Sequence, residues 1–167
     1  TRDGILRVVK SMGAEIEYSH ITEQAGEKTA DLLVRYTGAL HGTVIEGDVI
    51  PTLIDEIPVI AVLAATAEGE TVIRNAEELK VKESDRLAIM VESLSAMDVD
   101  VTGTDDGMII RGGKPLQGAV IDSHLDHRIA MSASLLGLGR GQRVVVDDPA
   151  VVRKSFPEFW NVWSALA

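Results

Sequence analysis

The stretch from Lys80 to Arg86, which reads KVKESDR, holds the residues with the most obvious chemical potential. If a helix opens here, Lys82 and Arg86 lie four residues apart on one face, with Glu83 beside them. Two cations and a carboxylate at a helix N-terminus would suit a phosphate or carboxylate ligand, with an acid or base next to it. The same spacing also fits a solvated helix start, where a Glu83–Arg86 surface pair contributes a few tenths of a kcal/mol. The spacing alone leaves both interpretations open.

An internal repeat adds further charged residues to this group. Arg35–Ile45 (RYTGALHGTVI) and Arg111–Ile121 (RGGKPLQGAVI) share Arg, Leu, Gly, Val and Ile at the same places. The segment opening at Asp55 is matched by the one opening at Asp126, and Lys82 is matched by Lys154. The common order is extended segment, helix, strand, loop, helix, strand, strand. It predicts a duplicated α/β unit of about seventy residues, of which three would close a compact domain.

The repeat predicts where these charges meet. If rotation relates the units, their helix N-termini point the same way, and the cations converge at one end of the domain: Lys82, Arg86, Arg128 and Lys154. Asp55 stands at a matching helix start, so a carboxylate would lie beside them. Such a cluster in an acidic protein suits a small, multiply charged anion. We interpret His127 as a neighbour of the site and Asp126 as a helix cap, since the other histidines show no metal-ligand spacing.

The elements that must position these residues can be predicted from local patterns. Asp55 and Asp126 precede apolar helical runs, which is typical of N-caps. Gly69 and either Gly139 or Gly141 would end those helices. A helix is expected from Lys82 to Met97, because its apolar residues recur with helical spacing. Asp106-Gly107 predicts a hairpin turn between two short strands.

Composition excludes several classes of protein. The 167 residues carry a formal net charge of −10, which repels nucleic acid, and they include no Cys, which excludes disulfides and a thiol nucleophile. No apolar stretch approaches the roughly eighteen residues of a membrane span. The sequence indicates a cytoplasmic α/β protein with no membrane partner.

Four motifs occur in order along the chain: IDEIP from Ile54, KVKESDRL from Lys80, DHRIAM from Asp126 and KSFP from Lys154. Together they resemble the C-terminal half of the 5-enolpyruvylshikimate-3-phosphate synthase family. The resemblance spans essentially the whole chain. It implies an inverse α/β barrel of two domains, each built from βαβαββ units, with residues 1–167 as a partial C-terminal domain. The N-terminal domain and the start of the first repeat would be absent.

The resemblance also implies a reaction and residue roles. The 5-hydroxyl of shikimate 3-phosphate attacks C2 of phosphoenolpyruvate while C3 is protonated, and phosphate then leaves, without metal or cofactor. Asp55 resembles the general base, Glu83 the acid/base at the methylene carbon, and Lys82 the cation between the substrates. Arg86 and Arg128 would bind the phosphoenolpyruvate carboxylate and Lys154 its phosphate. The partners implied are these substrates and the protein's own N-terminal domain in a monomer, with glyphosate as a candidate inhibitor.

Two alternatives stay open. A UDP-N-acetylglucosamine enolpyruvyl transferase would share the fold and the phosphoenolpyruvate chemistry, although the KESDR and DHR motifs favour shikimate 3-phosphate. A binding module of the same fold without catalysis is the other alternative, against which the intact set of charged residues argues. The chain by itself is expected to be inactive, because half of the site would be missing.

Overall fold

The computed structural model describes residues 2–138 and 143–166 and shows helices and strands in alternation. The helices are α1 (Gly4–Ser11), α2 (Ile57–Thr66), α3 (Arg86–Ala96), α4 (His127–Leu135) and α5 (Phe159–Leu166). The strands are β1 (Glu15–Gln24), β2 (Glu27–Arg35), β3 (Val44–Ile45), β4 (Gly69–Ile73), β5 (Asp100–Gly103), β6 (Met108–Gly112), β7 (Ala119–Ile121) and β8 (Val144–Val146). Short 3₁₀ helices cover Gly47–Thr52, Ile54–Glu56, Glu77–Val81 and Pro149–Lys154.

The element order contains one complete βαβαββ unit with an incomplete unit on either side. The complete unit is β3-α2-β4-α3-β5-β6, and its four strands form one sheet in the order β3-β4-β6-β5. Strand β3 pairs with β4 in parallel, whereas β6 pairs antiparallel with both β4 and β5. Elements α1-β1-β2 match the last three members of a unit, and β7-α4-β8-α5 match the first four. This order confirms the duplication predicted from the sequence.

Helix α2 lies at the centre of the molecule. Its sequence, IPVIAVLAAT, is apolar on every side, and seven of its ten residues are buried. Such a helix can be stable only inside a core. It contacts α3, α4 and strand β6, so the three helices that open near the charged residues pack against one another. Pro58 lies in its first turn, where the missing N–H is tolerated, as the sequence predicted.

Two helix boundaries differ from the sequence prediction. Helix α3 begins at Arg86 rather than Lys82, because Lys82 is extended and the Asp85 carboxylate accepts the N–H of Ala88 at 3.0 Å. Residues 82–85 therefore form a connecting segment. Asp55 does not cap α2: it lies in the 3₁₀ helix Ile54–Glu56, and α2 starts without any side-chain cap.

The glycine and hairpin predictions had mixed outcomes. Helix α2 ends at Thr66, and Gly69 instead opens β4 with φ +90°, a conformation that favours glycine. Gly139 and Gly141 lie outside the described residues. The Asp106-Gly107 hairpin is confirmed, since β5 and β6 pair antiparallel with Gly103 opposite Met108.

Strands β1 and β2 form a separate two-stranded sheet with one apolar face. Ile16 pairs with Val34 and Tyr18 with Leu32, so these four side chains share a face. Only Ile16 is buried, and Leu32 and Val34 are 46% and 61% exposed. A groove of about 530 Å³ adjoins this hairpin and is lined by residues of α1, β2, the segment after β2, and α2.

Candidate active site

Arg86, the first residue of α3, is a buried guanidinium shared by three carboxylates. Its side chain is 1% exposed. Nε donates to Asp126 Oδ2 at 2.8 Å, Nη1 to Asp55 Oδ1 at 3.1 Å, and Nη2 to Glu83 Oε2 at 2.5 Å. Because a buried charge is costly unless it is paired and hydrogen-bonded, these contacts explain how the side chain can lie inside the core. Arg86 thereby joins three separate segments of the chain.

Asp126 links Arg86 to the start of α4. It is fully buried and caps α4, with Oδ1 accepting the N–H groups of Arg128 at 2.9 Å and Ile129 at 3.4 Å. Oδ2 accepts from Arg86 and from Ser84 Oγ, both at 2.8 Å. Burial favours a higher pKa for Asp126, but the hydrogen bonds from Arg86 and Ser84 outweigh it and the pKa is lowered. The predicted cap is confirmed, and the carboxylate is ionised.

Asp55 is the carboxylate around which the cations converge. Arg86 Nη1 lies 3.1 Å and Lys82 Nζ 3.9 Å from Oδ1, while Arg128 Nη2 lies 3.7 Å from Oδ2. Oδ2 also accepts a hydrogen bond from Arg2. Burial raises the pKa of Asp55. The hydrogen bond from Arg2 and the positive charges of Arg128 and Lys82 lower that pKa by more than burial raises it, so the net shift is downward. Asp55 is therefore an ionised, partly accessible carboxylate.

Lys82 and Glu83 lie in the connecting segment ahead of α3. Lys82 contacts Glu78 as well as Asp55, and its side chain is one-quarter exposed. Glu83 is the most exposed of the three carboxylates bound to Arg86, at 52% against 16% for Asp55 and 0% for Asp126. Glu83 is thus the partner of Arg86 that can exchange with a ligand at the smallest cost in desolvation.

Arg128 and Lys154 donate to different parts of the backbone. Arg128 is one-third exposed, and Nη1 donates to the backbone oxygen of Asp55 at 3.2 Å. Lys154 Nζ donates to the backbone oxygen of Leu125 at 3.1 Å, next to the start of α4. Within residues 2–138 and 143–166, Lys154 makes no ion pair with the carboxylates of the site. Lys82, Arg86 and Arg128 therefore all contact Asp55, whereas Lys154 contacts the backbone beside the start of α4.

His127 is buried beside this network. Its Nδ1 atom has no hydrogen-bond partner among the described residues. Burial lowers the pKa of His127, and the charges of Arg128 and Arg86 lower it too, against the opposing effects of Asp126 and Glu83. The ring is therefore neutral at pH 7.

Three charged residues of the site were missed from the sequence. Glu78 lies four residues before Lys82 and could have been found from that spacing. Glu56 lies 3.8 Å from Arg2 and 3.9 Å from Arg128, next to a cavity of about 140 Å³ that Asp55 also lines. Arg2 is 53 positions from Asp55 and belongs to no motif, so nothing in the sequence indicates it.

The site can hold an anion and move a proton. Lys82, Arg86 and Arg128 are paired with carboxylates, so an anionic ligand that binds one of these cations must take the place of a carboxylate. Among residues 2–138 and 143–166, no group of three or more acidic or histidine side chains could hold a metal ion. In the same residues, no helix has the length and apolar character needed to cross a membrane.

Comparison with known proteins gives one consistent result. A family model described as EPSP synthase (3-phosphoshikimate 1-carboxyvinyltransferase) matches residues 1–163. Curated 3-phosphoshikimate 1-carboxyvinyltransferases include that of Synechococcus sp. (strain JA-3-3Ab), 53% identical over 95% of this chain, and that of Desulforudis audaxviator, 50% identical over 99%. The chain spans only 38% of the Desulforudis protein and 36% of the Synechococcus protein.

Solved structures agree. An EPSP synthase from Acinetobacter baumannii superposes with a TM-score of 0.90 at 37% identity, covering 99% of this chain and 39% of that one. The enolpyruvyl transferase NikO from Streptomyces tendae superposes with a TM-score of 0.72 at 18% identity, which supports the fold alone. The α/β fold is therefore that of the enolpyruvyl transferases. The match over residues 1–163 shows that the chain belongs to the EPSP synthase (3-phosphoshikimate 1-carboxyvinyltransferase) family.

Proposed function

We propose that the chain is part of an enzyme that transfers the enolpyruvyl group of phosphoenolpyruvate to the 5-hydroxyl of shikimate 3-phosphate and releases phosphate. The observation that carries the proposal is the ionised Asp55 carboxylate, contacted by Lys82, Arg86 and Arg128 in a chain of this family. Cations offset the repulsion between two anionic substrates, and a carboxylate among them can accept a hydroxyl proton. A cytoplasmic location stays a prediction.

Asp55 is the proposed general base and Glu83 the proposed acid. The 5-hydroxyl oxygen bonds to C2 of phosphoenolpyruvate as its proton passes to Asp55, and C3 gains a proton from Glu83. The C2–O bond to phosphate in the tetrahedral intermediate then breaks, and C3 returns a proton to Glu83 as the enol ether forms. Lys82, close to Asp55 Oδ1, would stabilise the charge on the reacting oxygen.

Arg86 and Arg128 are proposed to bind the phosphoenolpyruvate carboxylate, and Lys154 its phosphate. Since Arg86 is already shared by three carboxylates, the substrate carboxylate would replace the most exposed of them, Glu83, on Nη2. Once displaced from Arg86, Glu83 would take up a proton from solvent and could donate it to the methylene carbon of the same substrate. Substrate binding and activation of the acid would then be one event.

The remaining partner is the rest of the same polypeptide. We propose residues 1–167 as a partial C-terminal domain, because the chain spans little more than a third of the length of the relatives compared above. Val34 corresponds to the fully buried Ile110 in the complete unit, and Leu32 corresponds to the fully buried Met108. The apolar face of the hairpin is thus where a strand and helix of the first unit would pack.

The test is a chimera in which this chain replaces the matching segment of the Desulforudis relative, assayed by phosphate release. We expect turnover with phosphoenolpyruvate and shikimate 3-phosphate, a loss of about 100- to 10,000-fold in Asp55→Asn, and no turnover by the 167-residue chain alone. Arg111→Gln, at an exposed residue of the sheet, is the control. Turnover with UDP-N-acetylglucosamine instead, or an inactive chimera beside an active relative, would refute the proposal.

A further inference from the structure

Arg2 reaches Asp55 from a part of the chain that none of the motifs includes. It precedes α1, its side chain is 54% exposed, and Nη2 forms a hydrogen-bonded ion pair with Asp55 Oδ2. The same nitrogen lies 3.8 Å from Glu56 Oε2. The other three cations around Asp55 follow Asp55 in the sequence and belong to the predicted cluster.

The two oxygens of Asp55 have different partners. Oδ1 accepts from Arg86 and lies near Lys82. Oδ2 is within 3.7 Å of Arg128, which is too far for a hydrogen bond, so Arg2 is its one hydrogen-bond donor among the described residues. Arg2 therefore controls the oxygen that Arg86 leaves free.

We propose that Arg2 is a positioning residue of this site, which keeps the partly buried Asp55 carboxylate ionised and fixes the orientation of Oδ2. The kinetic part of the inference rests on the proposed function, but the ionisation of Asp55 does not. The charged groups that face Asp55 are Arg2, Lys82, Arg86, Arg128 and Glu56. Burial raises the pKa of Asp55, and the hydrogen bond from Arg2 is the strongest influence that lowers it. Without Arg2, the pKa should rise.

Carboxyl-carbon NMR of the 167-residue chain can follow the titration of Asp55 directly. We expect the Asp55 midpoint to move to higher pH in Arg2→Gln and by a smaller amount in Arg2→Lys, which keeps the charge but loses the guanidinium geometry. Arg7→Gln is the matched control, because Arg7 lies in the same segment with 59% exposure and contacts Thr52 and Asp3 rather than Asp55. An unchanged midpoint in Arg2→Gln, or an equal rise in Arg7→Gln, would overturn the inference.

The chimera described above supplies a second readout. If Asp55 acts as the base, Arg2→Gln should move the acidic limb of the kcat/KM profile to higher pH, with partial rescue by Arg2→Lys and no change in Arg7→Gln. If the chimera is active and Arg2→Gln leaves the pH profile of kcat/KM unchanged, the role of Arg2 is refuted and the proposed function is unaffected. An inactive chimera together with an NMR midpoint that responds to Arg2 would refute the function and leave the positioning role.

Discussion

At the scale of single residues, the dominant feature is one buried guanidinium that donates hydrogen bonds to carboxylates from three segments. Removing one member of such a network leaves buried charge without a partner, which costs more than the intact pair contributes. Arg86→Met should therefore lower the free energy of unfolding by about 3 to 5 kcal/mol, measured by urea denaturation at pH 7. Arg111→Met removes an exposed arginine with two carboxylate partners and should change it by less than about 1 kcal/mol. Equal losses would show that burial of Arg86 carries no special cost.

His127 gives the molecule a pH dependence near neutrality. Its folded-state pKa is lowered by burial, so the unfolded chain binds the proton more readily. The stability that the neutral ring contributes is complete above the unfolded pKa of about 6.5 and is lost as the pH falls below it. Urea denaturation between pH 7 and pH 5 should show a decline that is smaller in His127→Asn. A full decline in His127→Asn would contradict the assignment.

The residues of the site were predictable where the repeat or a motif marked them. The convergence of Lys82, Arg86 and Arg128 on Asp55 followed from duplication, since equivalent helix starts face the same end of a domain. Arg2 could not be found in that way, because its contact depends on where the chain runs before α1. Lys154 reaches the start of α4 but donates to the backbone oxygen of Leu125, since the repeat matches its backbone position and does not determine where a long side chain hydrogen-bonds.

At the scale of elements, the Asp85 cap sets the start of α3 at Arg86, although the spacing of charged residues predicted a start at Lys82. Asp85→Ala removes the side chain that accepts the Ala88 N–H and should cost about 1 kcal/mol of unfolding free energy, measured by urea denaturation. Glu92→Ala, at an exposed position within the same helix, should change stability by a few tenths of a kcal/mol at most. If the two variants lose equal stability, Asp85 is not acting as a cap.

Most elements were predictable from local sequence, but their boundaries and partners were not. Apolar periodicity and the Asp106-Gly107 turn correctly predicted α2, α3 and the β5–β6 hairpin. Periodicity could not separate the first turn of α3 from the segment before it, because Lys82 to Asp85 are equally compatible with both. The sheet order β3-β4-β6-β5 depends on pairings between distant strands, which local patterns do not specify.

At the scale of the whole molecule, the exposed apolar face of the β1–β2 hairpin should be a binding surface for the rest of the protein. Leu32→Lys with Val34→Lys should weaken binding of the separately purified remainder of the Desulforudis relative tenfold or more, as expected when two apolar side chains lose burial worth about 1.5 kcal/mol or more each. The measurement is isothermal titration calorimetry against the 167-residue chain.

Leu33 provides the matched control for that surface. It lies between the two substituted residues on the same strand, is 48% exposed, and points to the opposite face, where it pairs with Glu17. Leu33→Lys should keep the affinity for the remainder of the relative within about threefold of the wild-type value, because a substitution on a solvent-exposed face removes no buried contact. If the chain instead self-associates and Leu32→Lys abolishes that self-association, the partner of this face is a second copy of the chain.

Asp55 and Asp126 occupy corresponding points of successive repeats, yet Asp126 is closed off by its own helix and by Arg86 while Asp55 stays accessible. In evolutionary terms, the two positions are therefore under different constraints. A change at Asp126 removes both a helix cap and a partner of a buried charge, whereas a change at Asp55 removes a partner of Arg86 and no cap. We expect chemical variation at Asp55 to cost less stability than variation at Asp126.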